Sequence, residues 1–309
     1  MSFVVSVENL HKNFSGENAL SDVSFSVAPG CLFGLIGADG AGKTSLFRIL
    51  TTLCDFNKGK VSVLGLDVVK DFRQLRTKIG YMPQKFSLYQ DMTVTENMLF
   101  FADVFGVKAG ERQERIERLL SFSRLGPFHK RRSRDLSGGM KQKLALSCTL
   151  IHTPAIVFLD EPTTGVDPVS RKEFWRILFD LKKQGVTIVT STPYMDEAQE
   201  CDELLFLHKG AIVRQGRPAV LLDHYPFALF AIEGEGDAGL FYPQSGRIPE
   251  GIALLYPSEG LLHAAAGKGD AQEKDVLALV KTVVPDASRA KRIQPKIEDL
   301  FVYLLSEKK

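Results

Sequence analysis

The segment Gly37-Ala38-Asp39-Gly40-Ala41-Gly42-Lys43-Thr44 fits the pattern GxxxxGK[ST]. It stands between a short apolar run, Cys31 to Ile36, and a stretch from Lys43 to Leu53 in which Leu46, Ile49, Leu50 and Leu53 keep helical spacing. Strand, glycine-rich loop and helix in that order make a cradle for phosphate. The glycines let the backbone turn tightly, so that successive N–H groups and the helix N-terminus converge on phosphate oxygens. Lys43 then reaches the β and γ phosphates and Thr44 can ligate magnesium, so the loop implies a nucleoside triphosphate with Mg2+.

A second group of residues carries carboxylates. In Ile156-Val157-Phe158-Leu159-Asp160-Glu161 four apolar residues lead into two acids, which sets Asp160 at the carboxyl end of a buried strand, where open α/β sheets bind their ligands. Asp160 is a candidate for holding magnesium, directly or through water, and Glu161 for polarising the attacking water. Taken alone such a strand end is equally a solvated terminus; the phosphate loop upstream gives it weight. Leu136-Ser137-Gly138-Gly139-Met140 runs into a helical stretch, Lys141 to Leu150, and so exposes backbone donors at a second helix N-terminus. One nucleotide needs one such cradle. A head-to-tail dimer is therefore expected, each chain's LSGGM closing over the γ-phosphate held by the other, although Ser-Gly-Gly is also an ordinary helix cap.

The elements that must position these residues read as an α/β fold. Ala155 to Leu159 and Val186 to Thr190 are buried-type strands with a helix, Ser170 to Lys183, between them, the alternation that builds a parallel sheet. Ser2 to Val7 and Ala19 to Val27 alternate apolar and polar as half-buried antiparallel strands do, and Val61 to Gly65 is hairpin-like. Thr93 to Val104 and Glu111 to Phe122 have amphipathic helical spacing and define a helical block at about residues 85–150. Leu204 to Leu207 and Ala211 to Arg214 form a terminal hairpin, and Gly216-Arg217-Pro218 divides a first domain, 1–217, from a second, 218–309. The second carries strand candidates (FALFAIEG, ALLYPS, GLLHAAAG), glycine-rich turns such as Gly234 to Gly239, and helix candidates at Ala271 to Val284 and Pro295 to Glu307, a small α+β appendage.

Composition narrows the class. With 44% hydrophobic and 25% charged residues the 309-residue chain is globular, and a formal net charge of +2 is too balanced for a dedicated nucleic-acid binder. Cys31, Cys54, Cys148 and Cys201 have no CxxC spacing and sit among apolar neighbours, which points to a reduced, cytoplasmic compartment. The N-terminus lacks the basic start and apolar core of a signal peptide, and no window approaches about 18 uncharged apolar residues. Any membrane role is expected to be peripheral.

In order and spacing these motifs resemble the ATP-binding subunit of an ABC transporter over roughly residues 3 to 217, with a weaker match at the tail. Phe14, in LHKNF, falls where that family has an aromatic stacking on adenine; GADGAGKT is its Walker A loop; Gln84, in GYMPQ, its Q-loop glutamine. LSGGM corresponds to the signature motif, IVFLDEP to Walker B and Gly165-Val166-Asp167-Pro168 to the D-loop. The resemblance implies a P-loop ABC cassette with a mixed sheet core, an antiparallel β subdomain and a helical subdomain, followed by the small α+β accessory domain. It implies catalysis by Glu161, Gln84 and Lys43, and magnesium at Thr44, Gln84 and Asp160. Nucleotide binding is implied at Phe14, Gly37, Asp39, Gly40, Ala41, Gly42, Lys43, Thr44 and Ser45, with Ser137, Gly138, Gly139 and Asp167 acting across a dimer. YMPQKFSLYQDMTVTEN, LSGGMKQKLALSCTL, GVDPVSRKEFW and the ending IQPKIEDLFVYLL resemble the type-2 exporter branch, which includes drug, lipid and polysaccharide exporters. The expected partners are transmembrane permease subunits, met on the cytoplasmic face of the cell membrane, and a second cassette, identical or different. Phe86, Leu88 and Tyr89 are candidates for receiving a short permease helix, and equally for local core.

One position departs from the family. Where a histidine normally contacts the γ-phosphate, this chain has Pro193, within Ser191-Thr192-Pro193-Tyr194-Met195-Asp196-Glu197-Ala198, and no other histidine stands in a suitable position. Either Thr192 simply caps a helix with Pro193 in its first turn, or hydrolysis is altered or slow. A regulatory or slowly hydrolysing cassette paired with a second one, and a non-transport ABC ATPase, therefore stand as alternatives to an export motor. Intact Glu161 argues against the first, and the absence of a second cassette or long coiled coil against the other. The basic cluster Lys130-Arg131-Arg132-Ser133-Arg134 faces either anionic lipid, a partner or plain solvent.

Overall fold

The structure is a computed structural model and describes residues 3–85, 88–234, 248–258, 260–267 and 271–307. The chain divides into two compact units, Met1–Pro218 and Ala219–Lys309.

The first unit begins with a hairpin of β1 (Val5–Phe14) and β2 (Glu17–Val27), closed by Ser15-Gly16 with φ values of 47° and 100°, the left-handed pair that a two-residue hairpin needs. β1 is longer than the alternation over Ser2 to Val7 suggests. A register shift between Val7 and Leu10, with Asn9 at φ 47°, breaks the alternation, so the polar residues Glu8 and Asn9 hide a continuous strand. β3 (Leu32–Ile36) leads into α1 (Lys43–Leu50), which stops short of Leu53 because Thr52 turns left-handed at φ 64°. β4 (Lys58–Val63) and β5 (Leu66–Asp67) complete an antiparallel sheet in the order β2-β1-β4-β5.

After α2 (Phe72–Arg76) come β6 (Ile79–Met82) and three mutually packed helices, α3 (Val94–Val104), α4 (Ala109–Phe122) and α5 (Gly138–Leu150). Thr93 starts α3 with a capping box to Glu96, and Ser137 caps α5. β7 (Ile156–Asp160), α6 (Pro168–Lys183), β8 (Thr187–Ser191), α7 (Met195–Ala198), β9 (Glu203–His208) and β10 (Ala211–Gly216) finish the unit. Its central sheet runs β10-β9-β3-β8-β7-β6, with β10 antiparallel to β9 and the other pairs parallel. Every residue of β3, β7 and β8 is buried, as strands covered on both faces must be. α1 packs between the two sheets: Leu46, Phe47 and Ile49 share one core with Val5, Leu10 and Val23 of the hairpin and with Phe33 and Phe158 of the central sheet. That core fixes the phosphate loop from both sides.

α8 (Pro218–Asp223) spans the division between the units. In the second unit β11 (Phe227–Gly234), β12 (Ile252–Ser258), β13 (Leu261–Gly267) and β14 (Ala287–Ile293) form an antiparallel sheet, β12-β13-β11-β14, covered by α9 (Glu273–Lys281), with α10 (Ile297–Ser306) last. The core is built from Phe230, Ile232, Leu255 and Leu262 of the sheet with Val276 and Val280 of α9. Ile297, Leu300 and Leu304 of α10 are buried, whereas Phe301 is half-buried. The turns proposed between Gly234 and Gly239 lie, past Gly234, outside the described residues. Among the described residues no helix is long and apolar enough to cross a membrane.

Candidate functional site

The loop between β3 and α1 is shaped by close backbone approaches. A Cβ on Gly37 would lie 2.4 Å from the Leu207 carbonyl oxygen, and one on Gly42, at φ 104°, 2.5 Å from that of Ala19. Only glycine fits either place. The loop thereby brings Lys43 to the floor of a cavity of about 460 Å³ lined by Phe14, Asp39, Gly40, Ala41, Gly42, Lys43, Thr44, Ser45, Gln84 and Glu161, together with Glu17, Asn18 and Ala19. Lys43 Nζ donates to the carbonyls of Gly37 at 2.8 Å and Ala38 at 3.2 Å and lies 3.3 Å from Glu161 Oε1. Phe14, at the end of β1, is 42% exposed, with Lys12 Nζ 4.5 Å from its ring centroid.

The acidic side comes from the ends of β7 and β8, which run side by side with Asp160 opposite Ser191. Ser191 Oγ donates to Asp160 Oδ1 at 2.9 Å and accepts from the Glu161 N–H at 3.0 Å. Asp160 Oδ2 is buried without a hydrogen-bond partner. Burial raises the Asp160 carboxyl above the usual carboxylate range, against the opposing pull of the Thr44 and Ser191 hydroxyls that face it. Glu161 takes the left-handed conformation, φ 50°, and its Oε2 accepts from Gln84 Nε2 at 2.9 Å and from Thr164 Oγ1 at 3.4 Å. Lys43, Thr44, Gln84, Asp160 and Glu161 thus meet at one end of the central sheet.

Ser137, Gly138, Gly139 and Asp167 do not line this cavity. Ser137 Oγ accepts from the Met140 N–H at 3.3 Å, and Asp167 Oδ1 accepts from the N–H groups of Val169 and Ser170 at 3.1 and 2.9 Å. The bonds from Ser170, first its hydroxyl, hold the Asp167 carboxyl below the usual range. Gly139 packs so tightly that a Cβ would lie 2.4 Å from Ser170 Cβ, while Gly138 and Ser137 stay exposed beside the loop containing Gly165. The two motif segments therefore adjoin each other on a separate exposed edge.

Residues 20–164 match the family model for the ABC transporter. Among solved structures, an ATP-binding subunit of an ABC transporter is 27% identical with a TM-score of 0.65, over 72% of this chain and 93% of that one. CbiO1 of Clostridium perfringens, part of the ABC transporter complex cbiONQ, is 25% identical with a TM-score of 0.67, over 72% of this chain and 92% of that one. The Nod factor export ATP-binding protein I of Mesorhizobium japonicum is 38% identical over 251 residues, 79% of this chain and 74% of the relative. This chain belongs to the ABC transporter ATP-binding family. The probable multidrug ABC transporter ATP-binding protein YbhF of Escherichia coli is 36% identical over 98% of this chain, which spans 52% of that relative's length.

Within this ABC ATP-binding chain the segment after β8 differs from the sequence-based expectation. Thr192 does not cap α7 and Pro193 is not in its first turn: Tyr194 is the N-cap, and the exposed Pro193 precedes it. The cause is Glu197, which draws the Thr192 hydroxyl inward as a donor to Oε2, while Thr192 Oγ1 accepts from the Tyr194 N–H at 3.0 Å. With Ser191 engaged by Asp160 and Glu161, neither neighbouring hydroxyl is left over to replace a histidine. Among the described residues no histidine lines the cavity.

Phe86 lies outside the described residues. Tyr89 is 45% exposed and packs edge-on against Phe100 at 4.4 Å, while the Asn97 side chain bonds both its N–H and its carbonyl. The basic cluster is partly structural: Arg134 pairs with Asp91 at 2.8 Å and Arg131 lies 4.9 Å from the Phe128 ring centroid. Sequence reasoning passed over Ser191 as a tie between the acids, Thr164, Asn97 and Glu197. The signal for Ser191 was its place directly after Val186 to Thr190, a strand expected in the same parallel sheet as Ala155 to Leu159.

Proposed function

We propose that this chain binds MgATP in the cavity around Lys43, hydrolyses it with Glu161 as base, and serves as the motor subunit of an exporter. The observation carrying this reading is the convergence of Lys43, Gln84 and Glu161 on one cavity, with Thr44 and the unpartnered Asp160 Oδ2 beside them. Thr44, Asp160 and Gln84 offer oxygen donors, the set a hard cation such as Mg2+ prefers. Bound there, the ion would offset phosphate negative charge. Lys43 exchanges its contacts with the loop carbonyls and Glu161 for phosphate oxygens. Glu161, released from that ion pair and steadied by Gln84, orients the attacking water and takes its proton. Phe14 offers a ring for adenine to stack on.

The exposed edge carrying Ser137, Gly138 and Asp167 is assigned to a second cassette, so that the phosphates are enclosed between two chains. Residues 1–217 act as the cassette, with the helical block around α3 to α5 receiving membrane permeases on the cytoplasmic face, and 218–309 act as an accessory domain. The Mesorhizobium relative is a Nod factor export ATP-binding protein, and the E. coli one a probable multidrug ABC transporter ATP-binding protein. Pro193 favours a second reading, a slowly hydrolysing cassette that relies on a more active partner.

Ligand-induced stabilisation tests the site. MgATP at about 100 times its Kd stabilises a native protein by about 2.7 kcal/mol, so the melting point of the wild type should rise clearly. In Lys43→Ala that rise should vanish. An equal rise in both proteins would remove Lys43 from the nucleotide site.

A further inference from the structure

Glu197 is a carboxylate with 5% exposure on the short helix α7, four residues past Pro193, and does not line the Lys43 cavity. Its Oε2 accepts from Thr163 Oγ1 at 2.9 Å and from the hydroxyl of Thr192. Its Oε1 lies 3.7 Å from Arg171 Nη1, and the Trp175 indole faces it from the same helix, α6. Arg171 in turn stacks on the Tyr194 ring at 4.0 Å and lies 3.7 Å from Asp196. Both residues flanking Pro193 are thus attached to one node. Burying a carboxylate is costly, and well-packed apolar residues would stabilise such a place at least as well.

What the node holds is the loop that follows Glu161. Glu161 is a non-glycine residue at φ 50°, a conformation that persists only where its surroundings over-determine it. Ser191 fixes its N–H, and the Thr164 N–H closes a turn onto its carbonyl oxygen at 3.2 Å. Adjacent threonines then face opposite ways: Thr164 Oγ1 reaches Glu161 Oε2, and Thr163 Oγ1 is anchored on Glu197.

We propose that Glu197, backed by Arg171, is a positioning residue for hydrolysis: by joining Thr163 to Thr192 it locks the Glu161 turn against the segment around Pro193 and so sets where the Glu161 carboxylate points. The proposal rests on the reading of Glu161 as the base. Without a histidine at 193, the direction of that carboxylate has fewer other supports, so the clamp carries more of the alignment. Burial keeps the Glu197 carboxyl above the usual carboxylate range, against the pull of the hydroxyls, the indole and Arg171. Both threonine hydroxyls donate to the one oxygen Oε2, a role that a glutamine carbonyl oxygen can fill, so a neutral replacement of that shape should preserve most of the function.

The test uses the full chain at a temperature where melting curves show every variant folded. Phosphate release is measured in single turnovers with protein in excess, and affinity with mant-ATP. Small displacements of a reacting group cost up to about a hundred-fold in rate, so Glu197→Ala should slow release about ten- to a hundred-fold with mant-ATP affinity within about two-fold of wild type. Thr163→Val should slow it in the same direction, and the double variant should be no slower than Glu197→Ala alone. Glu197→Gln should recover most of the rate. Wild-type rates in folded Glu197→Ala and Thr163→Val would overturn the clamp while leaving the base assignment standing. Absence of phosphate release from the wild type would instead overturn the hydrolytic reading, and the clamp with it.

Discussion

At Pro193 the chain has neither a side-chain donor nor a backbone N–H to offer a γ-phosphate, and the neighbouring hydroxyls of Ser191 and Thr192 are both engaged elsewhere. Loss of one oriented donor from a transition-state oxyanion costs about 3 to 4 kcal/mol, on the order of a hundred- to a thousand-fold in rate. Slow turnover by the isolated chain is the expected outcome, and Pro193→His should raise it with little change in ATP affinity, read from steady-state phosphate release at saturating MgATP. Brisk wild-type turnover that the substitution does not increase would show that another group supplies the donor. Pro193 was visible in the sequence because a motif surrounds it. Glu197 was not, because its partners Thr163 and Thr192 come together only when β7 and β8 lie side by side. The bend of the glycine-rich loop was legible for the opposite reason: it depends on close backbone approaches at Gly37 and Gly42, which the glycine spacing alone describes.

Among the elements, those whose interior is apolar were readable: β3, β7 and β8 each stand out as an unbroken buried run. β14 went unread, since ASRAKRI turns only Ala287 and Ala290 fully inward and shows charges elsewhere. Equally hidden was a polar group in the second unit's core. Asp299 at the start of α10 accepts from Tyr256 OH at 2.6 Å and from the Lys296 N–H at 2.6 Å, and lies 2.7 Å from His263 Nδ1. Burial pushes its carboxyl up, but the bonds from His263, Tyr256 and Lys296 together bring it below the usual carboxylate range. A depressed carboxyl stabilises the folded state above its unfolded pKa and ceases to do so as pH falls through the folded one. Asp299→Asn should therefore cost about 2 kcal/mol at pH 7 in urea unfolding, and the gap from wild type should narrow as pH falls through the lowered titration of Asp299. A gap that is constant with pH would mean that the charge of Asp299 contributes nothing.

On the scale of the whole molecule, the separation of the Ser137-Gly138-Gly139 edge from the Lys43 cavity is what makes a second chain part of the account. Glu161→Gln removes the proposed base and leaves Lys43 and Thr44 in place, so light scattering with MgATP should show twice the monomer mass. Doubling only in a mixture with another cassette would make the assembly heteromeric. Gly216-Arg217-Pro218, read from the sequence as a divide because a chain leaving one core for another passes through turn residues, stands beside Pro218, where the first compact unit ends. Phosphate release and mant-ATP binding measured together on wild type, Lys43→Ala and Glu161→Gln decide whether one cavity both binds and hydrolyses ATP. Slow but measurable release is expected in wild type and none in either variant, with nucleotide binding kept by Glu161→Gln but lost in Lys43→Ala. Release that persists at the wild-type rate in Glu161→Gln would contradict hydrolysis in this cavity with Glu161 as base.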